Sequence, residues 1–190
     1  MDVQIKEIKI SRLIALSLAI VSAGFCLALF ACSANSESIL RSAVRADLDG
    51  IMRAEPAALE MLSEQLAVGD QFGIDPHAFA SAWLDGFSYS IDGLSIEADS
   101  AMVEITISSR SIQAALESSM PDIEQLMAKV TETDDIDLVY EQCGQIVLRN
   151  LQSGQLTTDS LTLIYHLSGR SWVMDVRSSK ELALSLASGA

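Results

Sequence analysis

Cysteine, histidine and positive charge are scarce in this chain of 190 residues, and each scarcity removes a class of function. The three cysteines are Cys26, Cys32 and Cys143, and the two histidines are His77 and His166. Cys26 lies inside an apolar stretch near the N-terminus and Cys32 at its end, so only Cys143 belongs to the body of the chain. A Cys-based zinc site is therefore not expected, and the body cannot hold a disulfide of its own. Twelve basic residues stand against 26 acidic ones. That balance repels phosphate backbones and anionic headgroups, which argues against nucleic acid as a partner. A Gly-x-Ser-x-Gly elbow, a phosphate-binding glycine loop and a dinucleotide fingerprint are all missing as well. The sequence assigns no catalytic residue, no cofactor and no metal, and the expectation leans away from an enzyme.

What is present begins with a membrane address. Lys6, Lys9 and Arg12 form a basic start, and no charged residue follows from Leu13 to Ala31. This is the layout of a secretory signal, whose basic end stays inside while the apolar stretch inserts. The stretch ends in Leu29-Phe30-Ala31-Cys32 and gives way to polar Ser33 to Ser38. Leu three positions before a cysteine and Ala directly before it resemble the lipobox of bacterial lipoproteins, although Phe30 departs from the commonest residue at its place. The resemblance implies cleavage before Cys32 and lipid attached to its thiol, holding the protein at the extracytoplasmic face of a membrane. Nineteen apolar residues can also span a hydrocarbon core as a helix, so a single-pass N-terminal signal anchor is the alternative. Either way the folded part is expected outside the cytoplasm.

The domain reading is a signal peptide over 1–31, a lipidated Cys32 with a short tether over 32–38, and a single α+β domain over 39–190. Residues 1–31 carry three of the basic and two of the acidic residues, which leaves 9 against 24 and a formal charge of −15 on the remainder. The 159 residues left are enough for one domain with a single core.

Along that domain the hydrophobic period changes several times. Leu40, Val44, Leu48, Ile51, Leu59, Leu62 and Leu66 recur at helical spacing, with a kink or restart at Glu55-Pro56 and a stop at Gly69. Asp75-Pro76 opens a second helix, which points Phe79, Trp83 and Phe87 inward. Tyr89 to Ile96 reads as a strand with an irregularity at Asp92-Gly93. Ala98-Asp99-Ser100 turns into a second strand, in which Val103, Ile105 and Ile107 alternate with polar residues. Two helices follow, the first interrupted near Pro121 and the second running from Asp134 to Leu151. Alternation returns at Leu161, Leu163, Tyr165 and Leu167, a turn at Ser168-Gly169-Arg170 leads to a strand from Ser171 to Val176, and a helix from Ser179 ends the chain. The order is ααββααββα after the signal helix. Segregated helices and hairpins predict an antiparallel sheet of about four strands packed by helices on one face.

From about Ser38 to Val176 this order resembles small lipid-anchored bacterial proteins whose domain is similar to the cone-shaped, cystatin-like fold of nuclear transport factor two. The residues behind it are the opening helix pair, the run from Tyr89-Ser90-Ile91 through Ala98-Asp99-Ser100-Ala101 to Val103-Glu104-Ile105, and the closing Trp172-Val173-Met174-Asp175-Val176. The resemblance implies a curved sheet around a pocket and carries no catalytic residue onto this chain. Two helices between the hairpins exceed what the minimal cone fold needs.

Few side chains are candidates for chemistry. His166, on the strand face opposite Leu163 and Tyr165, is the weak pocket candidate for acid–base work, against a plain reading as a surface histidine. His77 reads as solvent-facing. Glu132, Asp134, Asp135 and Asp137 lack the ligand spacing of a calcium loop and read as charges at a helix start, with Asp134 as a cap. Cys143 falls on an apolar helical stripe with Ile136, Val139, Tyr140 and Val147 and reads as an inert core position. Trp172 suits either core or ligand platform. The resulting expectation is a membrane-anchored, non-catalytic module that binds a protein partner or a small apolar ligand. The alternatives are a pocket enzyme (hydrolase, isomerase or dehydratase) and a structural accessory of an envelope complex.

Overall fold

The computed structural model describes residues 35–131 and 135–189. The signal stretch, the site before Cys32 and Glu132 to Asp134 lie outside the described residues. Two compact units divide between Arg41 and Ser42. In the first, residues 35–41 are helical and carry an ion pair one turn apart, Glu37 with Arg41 at 2.9 Å. Helix therefore covers the last four residues of the expected tether, 35–38, none of which is Gly or Pro.

In the second unit, residues 42–52 are helical (α1). Helix α1 is followed by α2 (Pro56–Met61), α3 (Ser63–Asp70) and α4 (Pro76–Leu84). The expected opening pair is thus four helices. Ala54 adopts a left-handed backbone at φ 51°, Glu55 is extended, and Leu62 leaves helical geometry, so one apolar periodicity is cut into three segments. Asp75 caps α4 as its spacing predicts, accepting from the N–H groups of His77 and Ala78.

The sheet follows in the order β1 (Ser88–Glu97), β2 (Ser100–Arg110), β3 (Leu156–Ser168), β4 (Ser171–Met174), antiparallel throughout. The irregularity read at Asp92-Gly93 is a register shift between Ile91 and Gly93. Between β2 and β3 come α5 (Ile112–Met127) and α6 (Ile136–Ser153), and α7 (Val176–Ser188) closes the chain. Helix α5 passes through Pro121 without a break. Asn150 donates to Ser119 at 2.9 Å and Arg149 pairs with Asp122 at 2.9 Å, so α6 grips α5 on both sides of the proline.

The core lies on one face of the sheet. Val103, Ile105, Ile107, Leu163 and Tyr165 meet the apolar sides of α4 and α7, while Glu104, Thr162 and His166 on the other face stay exposed. Trp83 is fully buried at the centre, its indole N–H shared between the carbonyls of Arg110 at 3.1 Å and Leu186 at 3.2 Å. Phe79 and Phe87 are buried as expected. Phe87, however, lies beyond the helix end, past Gly86 at φ 80°, so a turn rather than helical register brings it inward. In α6, Val139, Cys143 and Val147 are buried, whereas Ile136 and Tyr140 are exposed and leave the predicted stripe. The architecture is mixed α+β, with a four-stranded antiparallel sheet and seven helices among the described residues.

Candidate functional site

Two tyrosines on the core face of the sheet reach helix α1. Tyr165 of β3 donates its hydroxyl to Asp47 Oδ2 at 3.0 Å, and Tyr89 of β1 donates to Asp49 Oδ1 at 2.6 Å. A buried phenol needs a partner at its polar end, and the aspartates, two residues apart, supply one for each strand. Burial and the adjacent carboxylate both resist ionisation of these phenols. Tyr165 is pushed well above the usual phenol range and Tyr89 up to about 12.

Beside the Asp47–Tyr165 bond, α1, α2, β4 and the start of α7 enclose a cleft of about 470 Å³. Its apolar wall includes Ile51, Ala57, Ala58, Met61, Trp172 and Met174, and its carboxylates are Asp47 and Glu55. Glu55 is already held by the Arg53 guanidinium at 2.9 Å. Asp47 makes no ion pair among the described residues and accepts only the Tyr165 hydroxyl. Much of its side chain touches solvent, yet the carboxyl turned toward Tyr165 is dehydrated enough to hold its pKa above the ordinary value, against the pull of the hydrogen bond. No His, Cys, Lys or Arg lines the cleft. Such a site suits an apolar molecule with one hydrogen-bond donor or positive charge, and its one hydroxyl, on Ser179, donates to the Val176 carbonyl at 2.8 Å.

The candidates read from sequence fall elsewhere. His166 points away from the core face, over half exposed, with Nε2 3.6 Å from Asp175 Oδ2. It is not part of the cleft. Asp175 also caps α7, accepting from the Arg177 N–H at 2.8 Å. His77 is exposed in the first turn of α4. Cys143 is buried and free. Asp135 caps α6, accepting from the Asp137 N–H at 3.0 Å, and Asp134 lies outside the described residues. Among the described residues no cluster of His, Cys, Asp or Glu could hold a metal ion. Trp172 is buried and also lines the cleft, which joins the two roles left open for it. Cys32 lies outside the described residues, and no helix among those described is long and apolar enough to cross a membrane.

Sequence reasoning missed Asp47. Its one signal is helical: it flanks the Val44–Leu48–Ile51 stripe, where a carboxylate must either reach solvent or find a partner in the core.

No protein-family model and no curated protein matches the chain. A solved structure similar to it is that of a Bacillus subtilis protein named as a lipoprotein (ycdA), with a TM-score of 0.50 and 12% identity over 67% of this chain. The match spans 45% of that neighbour, so this chain corresponds to less than half of it. The likeness is one of fold.

Proposed function

We propose that this protein is an extracytoplasmic lipoprotein, cut before Cys32 and anchored by lipid there, whose folded unit is a non-catalytic binding module. In this reading the sheet and its helices form a cone-like domain of the nuclear-transport-factor-two kind. The cleft beside Asp47 takes a small, largely apolar ligand that offers a donor or positive charge to the carboxylate. The observation that carries it is the cleft's lining: an apolar wall with Trp172 and Met61 and one carboxylate free of cations. The lipobox-like end of the signal stretch supports the anchor, and the name of the structural neighbour fits it.

Native mass spectrometry of the full-length protein, extracted gently from its own host's membranes, tests both parts. The anchor predicts an N-terminus at Cys32 with added acyl mass, and Cys32→Ser leaves unprocessed, unlipidated precursor. An identical N-terminus in both, with no mass difference beyond the substitution, refutes lipidation. The ligand reading predicts a reproducible small added mass that disappears in Ala57→Trp, which fills the cleft. An added mass that persists in that variant places the ligand elsewhere.

A further inference from the structure

Helices α5 and α6 form a hairpin of which only the half near the sheet is supported. The buried residues of α5 are Ile112, Ala115 and Ser119, and no residue of it beyond Ser119 is buried. In α6 the close approach to the rest of the domain comes at Gly144, where a Cβ would stand 2.6 Å from the Phe72 carbonyl. Outward from these points the two helices have mainly each other, along a half-buried seam of Ile123, Leu126 and Val130 against Val139.

The overhanging part is more apolar than a solvated arm requires. Met120, Met127, Ile136, Leu138 and Tyr140 are each about half exposed, and they are five of the 14 large exposed apolar residues among the described residues. At about 100° per residue, Met120 and Met127 project to one flank of the α5 seam, and Ile136 and Tyr140 to one flank of the α6 seam. Because the helices run antiparallel, the rotations that carry each pair off its seam point the same way. All four therefore lie on one side of the hairpin, the side along which Cys143 and Val147 are buried further down. Interleaved with them, residues 120–131 and 135–142 contain five acidic side chains and one basic, Lys129.

We propose that this overhang is a docking surface for a basic amphipathic segment of a partner protein, one presenting Lys or Arg beside apolar residues at helical spacing. Flexible methionines and an aromatic suit a helix laid along a groove. The charge selects the partner. A formal −4 over residues 120–131 and 135–142 repels a second copy of itself, an anionic lipid surface and nucleic acid alike, and attracts a cationic segment. The proposal does not depend on the cleft or on its ligand.

The test uses the full chain in phosphatidylcholine nanodiscs, with empty nanodiscs as blank. The probe is a fluorescent Lys/Leu peptide patterned at i, i+3, i+4 and i+7, compared with a scramble of identical composition. The patterned peptide should bind saturably and at least about tenfold tighter than the scramble. Ile136→Ser with Tyr140→Ser should cost about tenfold, and the cleft variant Ala57→Trp should cost nothing. Asp137→Lys with Glu141→Lys, at exposed positions that do not threaten folding, should also weaken the Lys/Leu peptide and gain affinity for a Glu/Leu counterpart. Equal binding of pattern and scramble, or affinity unchanged in both double variants, overturns the proposal. So does mass photometry showing dimers that depend on Ile136 and Tyr140, which would make a second copy the occupant.

Discussion

Gly144→Ala sets two physical effects of opposite sign against each other. Within a helix, alanine is favoured over glycine by about 1 kcal/mol, so secondary structure alone predicts a more stable protein. The structure predicts the reverse. A Cβ at this position would lie 2.6 Å from the Phe72 carbonyl oxygen and 3.1 Å from Ile74 Cγ1, the first well inside the 3.0 Å that real Cβ contacts keep. Relief requires α6 or the 72–74 loop to retreat by about 0.4 Å. The loop is pinned, because the N–H groups of Phe72 and Ile74 both bond the Gly69 carbonyl, at 3.0 and 3.1 Å. Gly69 in turn leaves no room against the Phe79 ring, where its own Cβ would stand 2.9 Å away. Overpacking costs about 1–3 kcal/mol, and a clash with a pinned backbone oxygen belongs to the upper part of that range, about 2–3 kcal/mol, so a net loss of about 1–2 kcal/mol remains after the propensity gain. With a urea dependence of about 2 kcal/mol per molar, the unfolding midpoint should fall by about 0.5–1 M. An unchanged or higher midpoint refutes the packing argument and means that the loop yields freely.

Three further outcomes follow from the polar contacts of the core. Trp83→Phe leaves the buried carbonyls of Arg110 and Leu186 without the indole donor and should cost about 1–3 kcal/mol in urea unfolding. No measurable loss would mean that other donors reach these carbonyls. Asp47 has its pKa raised by burial above the ordinary 3.8, so its contribution to stability is present in acid and lost as pH rises through the raised value. Asp47→Asn, which can still accept from Tyr165, should therefore gain on the wild type as pH climbs from about 4 toward neutrality; parallel stability curves would contradict this. Tyr89, pushed up to about 12 by burial and Asp49, should give a component near pH 12 in the phenolate absorbance titration, apart from the still later Tyr165, and Tyr89→Phe should remove that component alone. Persistence of that component in the variant would assign it to another phenol.

The sheet was legible in the sequence because alternation is a local signal and one face of this sheet is buried. Val103, Ile105 and Ile107 declare their face without reference to any other element, and Asp92-Gly93 marks the bulge. The helical segmentation was less legible. The apolar period from Val44 to Leu66 runs on through two chain breaks, because Leu62 and Leu66 keep facing the core after the backbone has turned at Ala54 and again at Leu62. Pro121 misled in the other direction. Its helix survives because contacts from α6, made by Arg149 and Asn150 some thirty residues on, hold it from both sides.

The cleft and the hairpin face were hidden for different reasons. The cleft draws Asp47, Ala57, Trp172 and Ser179 from four elements far apart in the chain, and no local pattern joins them. His166 drew attention as a histidine on an alternating strand, but alternation also places it opposite Tyr165 and hence away from the core. The carboxylate that lines the cleft answers Tyr165 from another element, which only the tertiary structure reveals. On the hairpin, Ile136 and Tyr140 share the helical stripe of Val139, Cys143 and Val147, and periodicity treats all five alike. What separates them is where the supporting domain ends, near Gly144 and the Phe72–Ile74 loop. Periodicity reports which side of a helix is apolar, not how far the surface opposite extends. An apolar stripe that outruns its core is therefore a feature of the fold, and in this protein it lies where the charge is most concentrated along the chain.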